Sequence, residues 1–247
     1  MARTALVRYR MPIGQALAIG FKAAIRNLIP FMALAAVVYV PWIVAMVELP
    51  NLVAYRHPGS AFVAALLIGI VLPSLLNNIV AGVVTFGVVQ QLRGKPAGPG
   101  ECLARGFTSL LPTLGTGLLA GLRIGLLLLL LIVPGIHEYC RLGVAVPVAI
   151  LERAGPARAI GRSIELTRGS RGSLFAITLV IFVVDFVLGR VVHLAARELG
   201  LTAALIGSVA VTVWGSIWGA CSGAASYYLL RKGKENLDLD ELAQVFA

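Results

Sequence analysis

The sequence predicts an all-α integral membrane bundle of six transmembrane helices. Three observations carry that prediction. Of 247 residues, 59% are hydrophobic and only 13% charged, with mean hydropathy +0.91. A soluble domain carries about 25% charged residues, so this chain lacks the polar surface that keeps a globule in water. Apolar runs also recur along the whole length, and a run of about 20 residues crosses about 30 Å of hydrocarbon as a helix. The alternation of membrane β-strands is missing. Finally, Lys and Arg concentrate in alternate connections between those runs, as the positive-inside rule requires.

The elements follow in order. Residues 11–28 form an amphipathic helix started by Pro12, which suits a first helical position. Ile13, Leu17, Phe21, Ala24 and Leu28 share one face; Gln15, Lys22 and Arg26 share the other. This reads as a helix lying in the membrane interface, and its polar residues interrupt any apolar core of a cleavable signal peptide. Six spans come next, at about 29–49, 61–92, 108–133, 137–151, 173–193 and 201–230. The second carries Pro73 and Asn77-Asn78, which favour a kink or tilt. The fourth is short and contains Pro147. Connectors fall at 50–60, 134–136 and 194–200, and longer polar loops at 93–107 and 152–172. GKPAGPG over 94–100 reads as turn or loop. Pro134-Gly135 reads as the tight turn between the third and fourth spans. In the second long loop, Pro156 starts and Gly169 ends another surface helix. Its apolar stripe is Ala157, Ile160, Ile164 and Thr167, opposite Arg158, Arg162 and Glu165. The tail is 231–247, and the whole chain reads as one membrane domain.

Sixteen of the Lys and Arg residues fall on one side of this arrangement and four, Arg56, Arg141, Arg190 and Arg197, on the other. The rich side is the cytoplasm, so both termini are cytoplasmic and the number of spans is even. The net charge of +10 is then spread over one membrane face. It suits anionic headgroups rather than nucleic acid, which calls for a basic patch on a soluble fold. Cys102, Cys140 and Cys221 are too scattered for a disulfide framework or zinc spacing.

Pro134-Gly135-Ile136, Arg141, VAVPVAILE ending at Glu152, and AIGRSIELTRG over 159–169, which carries Ser163, Thr167 and Gly169, resemble the signature of the glycerophosphoryl diester phosphodiesterase membrane-domain family. SYYLLRKGKENLDL near the end resembles that family's closing segment. His137, Glu138 and Cys140 stand where the family is usually apolar or aromatic. The resemblance implies a six-helix membrane domain of poorly defined function, sometimes fused to a phosphodiesterase barrel. A barrel would need about 250 soluble residues, and no polar stretch here approaches that.

Several residues invite chemistry. His137 and Cys140 share a helix face at i, i+3, and with His193 they would make a zinc triad; an interfacial turn anchored by Tyr139 and Arg141 is the stronger reading. On the expected topology HEYCR lies at the external membrane surface. Arg123 and Asp185 fall mid-span, where a charge is expensive. Counting residues from the inner ends places them at similar heights, so an intramembrane ion pair is expected. Gly117, Gly121 and Gly125 in the third span and Gly215, Gly219 and Gly223 in the sixth each make overlapping GxxxG steps. They predict close packing of those two helices, with homo-oligomer contacts as the competing use. No P-loop, GxSxG, HExxH or dinucleotide fingerprint occurs, and no cofactor is expected. The expectation is a non-enzymatic inner-membrane scaffold or accessory to lipid or envelope processes. Its partners would be the bilayer and another membrane protein or a second copy. The alternatives are a small transporter using Arg123 and Asp185 along a path with Asn77 and Asn78, and a lipid hydrolase using His137, Glu138 and His193.

Overall fold

The computed structural model describes residues 11–53, 69, 72–94 and 98–235. Among the described residues the chain is helical and contains no strand. The helices are α1 (Ile13–Arg26), α2 (Leu28–Val53), α3 (Leu72–Leu92), α4 (Pro99–Thr108), α5 (Leu110–Leu130), α6 (Ile132–Leu142), α7 (Ala145–Leu151), α8 (Pro156–Thr167), α9 (Arg171–Leu199) and α10 (Leu201–Glu235). Two stretches are long and apolar enough to cross a membrane, Leu110–Leu130 and Arg171–Ala195. A third is reached if Ile13–Arg26 and Leu28–Tyr39, bent by 80° at their junction, count as one. Leu76–Leu92 is apolar but shorter.

Helix α10 is the central post. It packs against α1, α2, α3 and α9, and its end meets α7 and α8. Helices α9 and α10 form a long hairpin whose connection is Gly200 alone, at φ +87. That left-handed conformation suits glycine. The expected connector at 194–200 is therefore mostly helix.

Helix α1 turns its small residues inward. Ala16, Gly20, Ala23 and Ala24 are buried, while Ile13, Phe21 and Ile25 are exposed. The expected face is thus rotated: close approach to α10 selects small residues, and Phe21 at the edge of the contact sets its ring against Trp214 and Trp218. At Gly20 a Cβ would lie 2.8 Å from Ser222 Cα. The bend into α2 is held by Asn27, which donates to Ala23 O at 2.9 Å and exchanges hydrogen bonds of 2.9 and 3.1 Å with Gln91.

The middle of the chain differs most from expectation. The expected fourth span, 137–151, is two short helices interrupted at Gly143-Val144. Pro134-Gly135 does not end a helix. The reversal occurs at Leu131, extended at φ -157 and ψ 132, and Pro134 sits in the first turn of α6, where its missing N–H breaks no helical bond. Gly135 serves close approach instead, since a Cβ there would lie 2.8 Å from Leu128 Cα. Helices α5 and α6 thus make a tight antiparallel hairpin. Pro73 falls in the first turn of α3, Pro99 opens α4 inside the expected loop, and α10 continues to Glu235. The first part of the expected second span, over 61–68 and 70–71, lies outside the described residues, as does the tail from 236.

Gly20→Val is expected to destabilise the protein by about 1–3 kcal/mol, because overpacking forces backbone shifts. Gly14→Ala, where an added Cβ meets nothing within 4 Å, should raise stability by up to about 1 kcal/mol, since alanine loses less backbone freedom in a helix. Reversible unfolding in detergent measures both.

Candidate functional site

The ionisable residues of the middle segment gather in two assemblies joined by α8. The first closes the α5–α6 hairpin. Seven residues beyond the apex at Leu131 comes Glu138; eight before it comes Arg123. Antiparallel arms bring them together, with Arg123 Nη2 2.7 Å from Glu138 Oε1. Arg141, one helical turn on, donates from Nη1 to Glu138 Oε2 at 2.6 Å. The Glu138 side chain is 2% exposed, against 47% for Arg123. A carboxylate so withdrawn from water stays charged only if paired, and here it has a cation on each oxygen.

The second assembly ties α8 to the end of α10. Arg162 contacts Glu235, and its Nε lies 3.4 Å from Glu152 Oε2. Arg231 reaches Glu235 through Nε at 2.7 Å and donates through Nη1 to the Tyr227 hydroxyl at 3.0 Å. Tyr227 in turn donates to Glu152 Oε1 at 3.0 Å. Lys234 donates to the backbone oxygens of Glu165 and Arg168. The final carbonyls of a helix lack intrahelical donors, so Lys234 caps α8 with a cation where the helix dipole favours one.

Helix α8 connects the two. Ser163 Oγ and Thr167 Oγ1, one turn apart, donate to the Arg141 carbonyl at 2.8 and 3.2 Å. That carbonyl belongs to the last turn of α6, which has no following helical N–H to use because the chain breaks at Gly143. Helix α8 begins at Pro156 as expected, and Gly169 at φ +87 follows its end. Its inward face is Ala159, Ile160, Ser163, Leu166 and Thr167; Ala157, expected inside, is exposed. Arg162, expected on the outer side, is drawn in by its two carboxylates.

Three expectations are corrected. The Arg123–Asp185 pair does not form: Arg123 is held by Glu138, and Asp185 packs over Gly215, where its carboxylate fills the space a Cβ would take. Counting heights assumed straight spans, and the turn at Leu131 brings a nearer carboxylate. The glycine sets of the third and sixth spans do not meet. Gly117 accommodates the Asn78 side chain of α3, and a Cβ at Gly121, Gly125, Gly219 or Gly223 would touch nothing within 4 Å. Helix α5 spends its contacts on α3, α6, α7 and α8. The zinc triad and the hydrolytic constellation also fail. His137 accepts a hydrogen bond at Nε2 from Arg171, 3.1 Å away, whereas His193 lies 22 residues further along α9, about 33 Å at 1.5 Å per residue. Glu138 is engaged by two arginines, and Cys140 is buried. No group of three His, Cys, Asp or Glu able to hold a metal occurs among the described residues.

The same contacts move HEYCR to the other end of the bundle. His137 touches Arg171, and Arg141 touches α8, so the hairpin base sits beside the cationic turn 168–171 rather than on the opposite face. The resemblance residues Arg141, Ser163 and Thr167 meet at one joint, and Glu152 lies in the second assembly. Sequence reasoning gave Glu138 a hydrolytic role and missed its arginine partners, and it missed the joining of Tyr227, Arg231 and Glu235. Glu138 had one readable signal, an i, i+3 partner in Arg141.

No family model, curated protein or solved structure matches the chain.

Removing Glu138 should cost far more than removing Asp185. Glu138→Gln is expected to destabilise by about 3 kcal/mol, the low end for a broken buried pair, because half-exposed Arg123 can turn to water. A double-mutant cycle should give Arg123 and Glu138 a coupling above about 1 kcal/mol, and Arg123 and Asp185 none. Titration of stability offers a second check. Lys234 lies beyond the apolar part of α10, and burial, then nearby Arg171 and Arg168, hold its ammonium below the usual lysine range. The unfolded chain therefore binds that proton more tightly, and stability should rise with pH through the window just below about 10.4, the unfolded value. Lys234→Met should flatten that slope.

Proposed function

We propose that this chain is a multi-pass inner-membrane scaffold rather than an enzyme, with both termini cytoplasmic and anionic phospholipid headgroups held against its cationic end. In this reading α2, α3, α9 and α10 are crossings. The α5 arm and the α6–α7 arm enter and leave on the cytoplasmic side, which makes six apolar passages and keeps the count even.

The observation that carries the reading is a crowd of like charges. Arg168, Arg171 and Lys234 come together where α8, α9 and α10 meet: Lys234 donates to the Arg168 carbonyl, and burial, then Arg171 and Arg168, hold its ammonium below the usual lysine range against the opposing pull of Glu235. Nearby Glu152 and Glu235 are already engaged by Arg162 and Arg231. A phosphate headgroup supplies the missing negative charge, and cations beside a membrane surface attract anionic lipid at about 1 kcal/mol each. The resemblance to the glycerophosphoryl diester phosphodiesterase membrane-domain family supports a membrane domain of this kind. The transporter alternative needs Arg123 free to serve a polar path, and it is committed to Glu138.

Purification in nanodiscs made from mixed phosphatidylglycerol and phosphatidylcholine tests the proposal. Phosphatidylglycerol should be enriched around the protein, and Arg168→Gln combined with Arg171→Gln should abolish most of the enrichment. Equal retention of both lipids by the parent chain would remove the basis of the reading.

A further inference from the structure

Asp185 is the one charged residue of α9 between Arg171 and Arg190. Its side chain turns to α10, where a Cβ at Gly215 would lie 2.8 Å from Asp185 Cγ. Glycine at 215 thus makes the slot that the carboxyl fills. No salt bridge reaches Asp185 among the described residues, and its Oδ1 is buried without a hydrogen-bond partner. Its neighbours on the outward face, Phe182, Val183, Phe186 and Val187, are apolar and exposed.

The surroundings offer an anion no donor. Helix α10 carries no Lys, Arg, His, Asp or Glu from Leu201 to Leu230. Its hydroxyls beside Gly215 serve their own helix: Thr212 donates to the Ser208 carbonyl at 2.8 Å, and Ser216 to the Val213 carbonyl at 2.9 Å. The Trp218 indole N–H has no partner, so it does not serve Asp185 either. Helices α6 and α1 also pack on α9. Helix α6 brings His137, which accepts from Arg171, and Glu138, which is committed to Arg123 and Arg141; Tyr139 and Cys140 belong to the same stretch. Arg171 lies 14 residues before Asp185, about 21 Å along the helix. On α1, Lys22 and Arg26 are exposed and make no ion pair with Asp185. On α9 itself, Arg190 is five residues on and His193 eight, and neither pairs with it. What remains is the backbone of α10. A helix consumes its N–H groups in its own ladder and shows a neighbour carbonyl oxygens with a spare lone pair. A carboxylate only accepts, so that backbone gives it nothing; a carboxylic acid has an O–H to donate. In an apolar medium an unpaired carboxyl neutralises rather than stays charged, and only the neutral form can bond in this slot.

We propose that Asp185 is a proton-binding site on the α9–α10 hairpin, a carboxylic acid at neutral pH whose O–H is donated to the α10 backbone beside Gly215. The ligand is the proton, and the hairpin holds it as part of its packing. Losing it leaves an anion with no donor against a helix backbone, which weakens the contact at Gly215. The proposal rests on the membrane-embedded reading of α9 above, because a half-buried carboxyl facing water would ionise. It does not rest on the lipid preference. Release of the parent chain by carbonate would overturn the embedding, whereas the measurements that follow use the chain retained in membranes and test the proton alone.

Infrared spectra of the chain in nanodiscs at neutral pH read the site directly, since a protonated carboxyl has a carbonyl band apart from those of carboxylates and amides. The parent should show that band and Asp185→Asn should lose it. The amide in Asp185→Asn keeps an N–H for the same backbone acceptor, so this variant should fold as the parent does. An acid band missing from the parent, or one that survives Asp185→Asn, overturns the proposal. Dicyclohexylcarbodiimide, an apolar reagent that adds to carboxylic acids and not to carboxylates, gives a second reading on the parent alone. The acid proton passes to a carbodiimide nitrogen, the carboxyl oxygen bonds to the central carbon, and nothing leaves. Peptide mapping should find the mass of one reagent molecule at Asp185. If Asp185→Asn fails to fold, the mapping decides, and absence of the reagent from Asp185 overturns the proposal.

Discussion

A carboxylate taken out of water is stable as an anion only when positive groups replace the lost hydration. Glu138 meets that condition twice over, with Arg123 reaching it from one arm of the hairpin and Arg141 from its own helix. The constraint is geometric as well as electrostatic. Arg123 can arrive only if the chain reverses within a few residues, and Leu131 in extended conformation provides the reversal. Glycine at 135 then lets the arms close. The register of α6 on α5, and hence the position of everything α6 touches, follows from that pairing.

From α6 the constraint passes to α8. A helix that stops at Leu142 leaves its last carbonyls without donors, and burial makes an empty acceptor costly. Ser163 and Thr167 fill the need at Arg141, which fixes both the height and the rotation of α8. So oriented, α8 turns Arg162 toward Glu152 and Glu235, and the end of α10 is drawn in through Arg231 and Tyr227. Two ionic assemblies and one pair of hydroxyls therefore connect a hairpin, a surface helix and the central post. The apolar residues around them fill space, but they do not choose among the many ways such helices could slide.

The sequence was legible where local chemistry decides. Pro156 and Gly169 bracket α8 because fixed φ and positive φ act on single residues. The break before α2 and the helical character of the apolar runs were likewise readable from period and composition. The reading failed where a long-range pairing decides. Pro134-Gly135 looked like a turn by composition, yet proline is harmless in a first turn and the glycine was needed for packing. Arg123 was matched with Asp185 by counting rises along straight helices. A single reversal replaced Asp185 with Glu138, which sequence distance alone had made the nearer candidate. The zinc reading failed similarly, since His137 and His193 were judged by the side of the membrane and not by the length of α9 between His193 and Arg171, the residue His137 touches.

In water, the apolar face of a helix marks its buried side. In a bilayer both sides are apolar, and residue size replaces hydrophobicity as the signal. Helix α1 obeys this in part, with Ala16, Gly20, Ala23 and Ala24 against the bundle and Ile25 outward, while half-exposed Phe21 sets its ring against Trp214 and Trp218 of α10. Helix α10 follows it only in part, burying Ser222, Ala224, Ala225 and Ser226 but also Ile217, Trp218, Tyr227 and Leu230. Helix α9 exposes Phe182, Val183, Phe186 and Val187, and the rings of Phe182 and Phe186 stack on each other. The glycine stripes of α5 show the limit of the rule. Gly121 and Gly125 are small and still unpacked, because the hairpin commits α5 to α6 first and turns those glycines away from the bundle. A small residue permits close approach; a partner must be brought there by something else, and in this chain the buried carboxylate at Glu138 brings it.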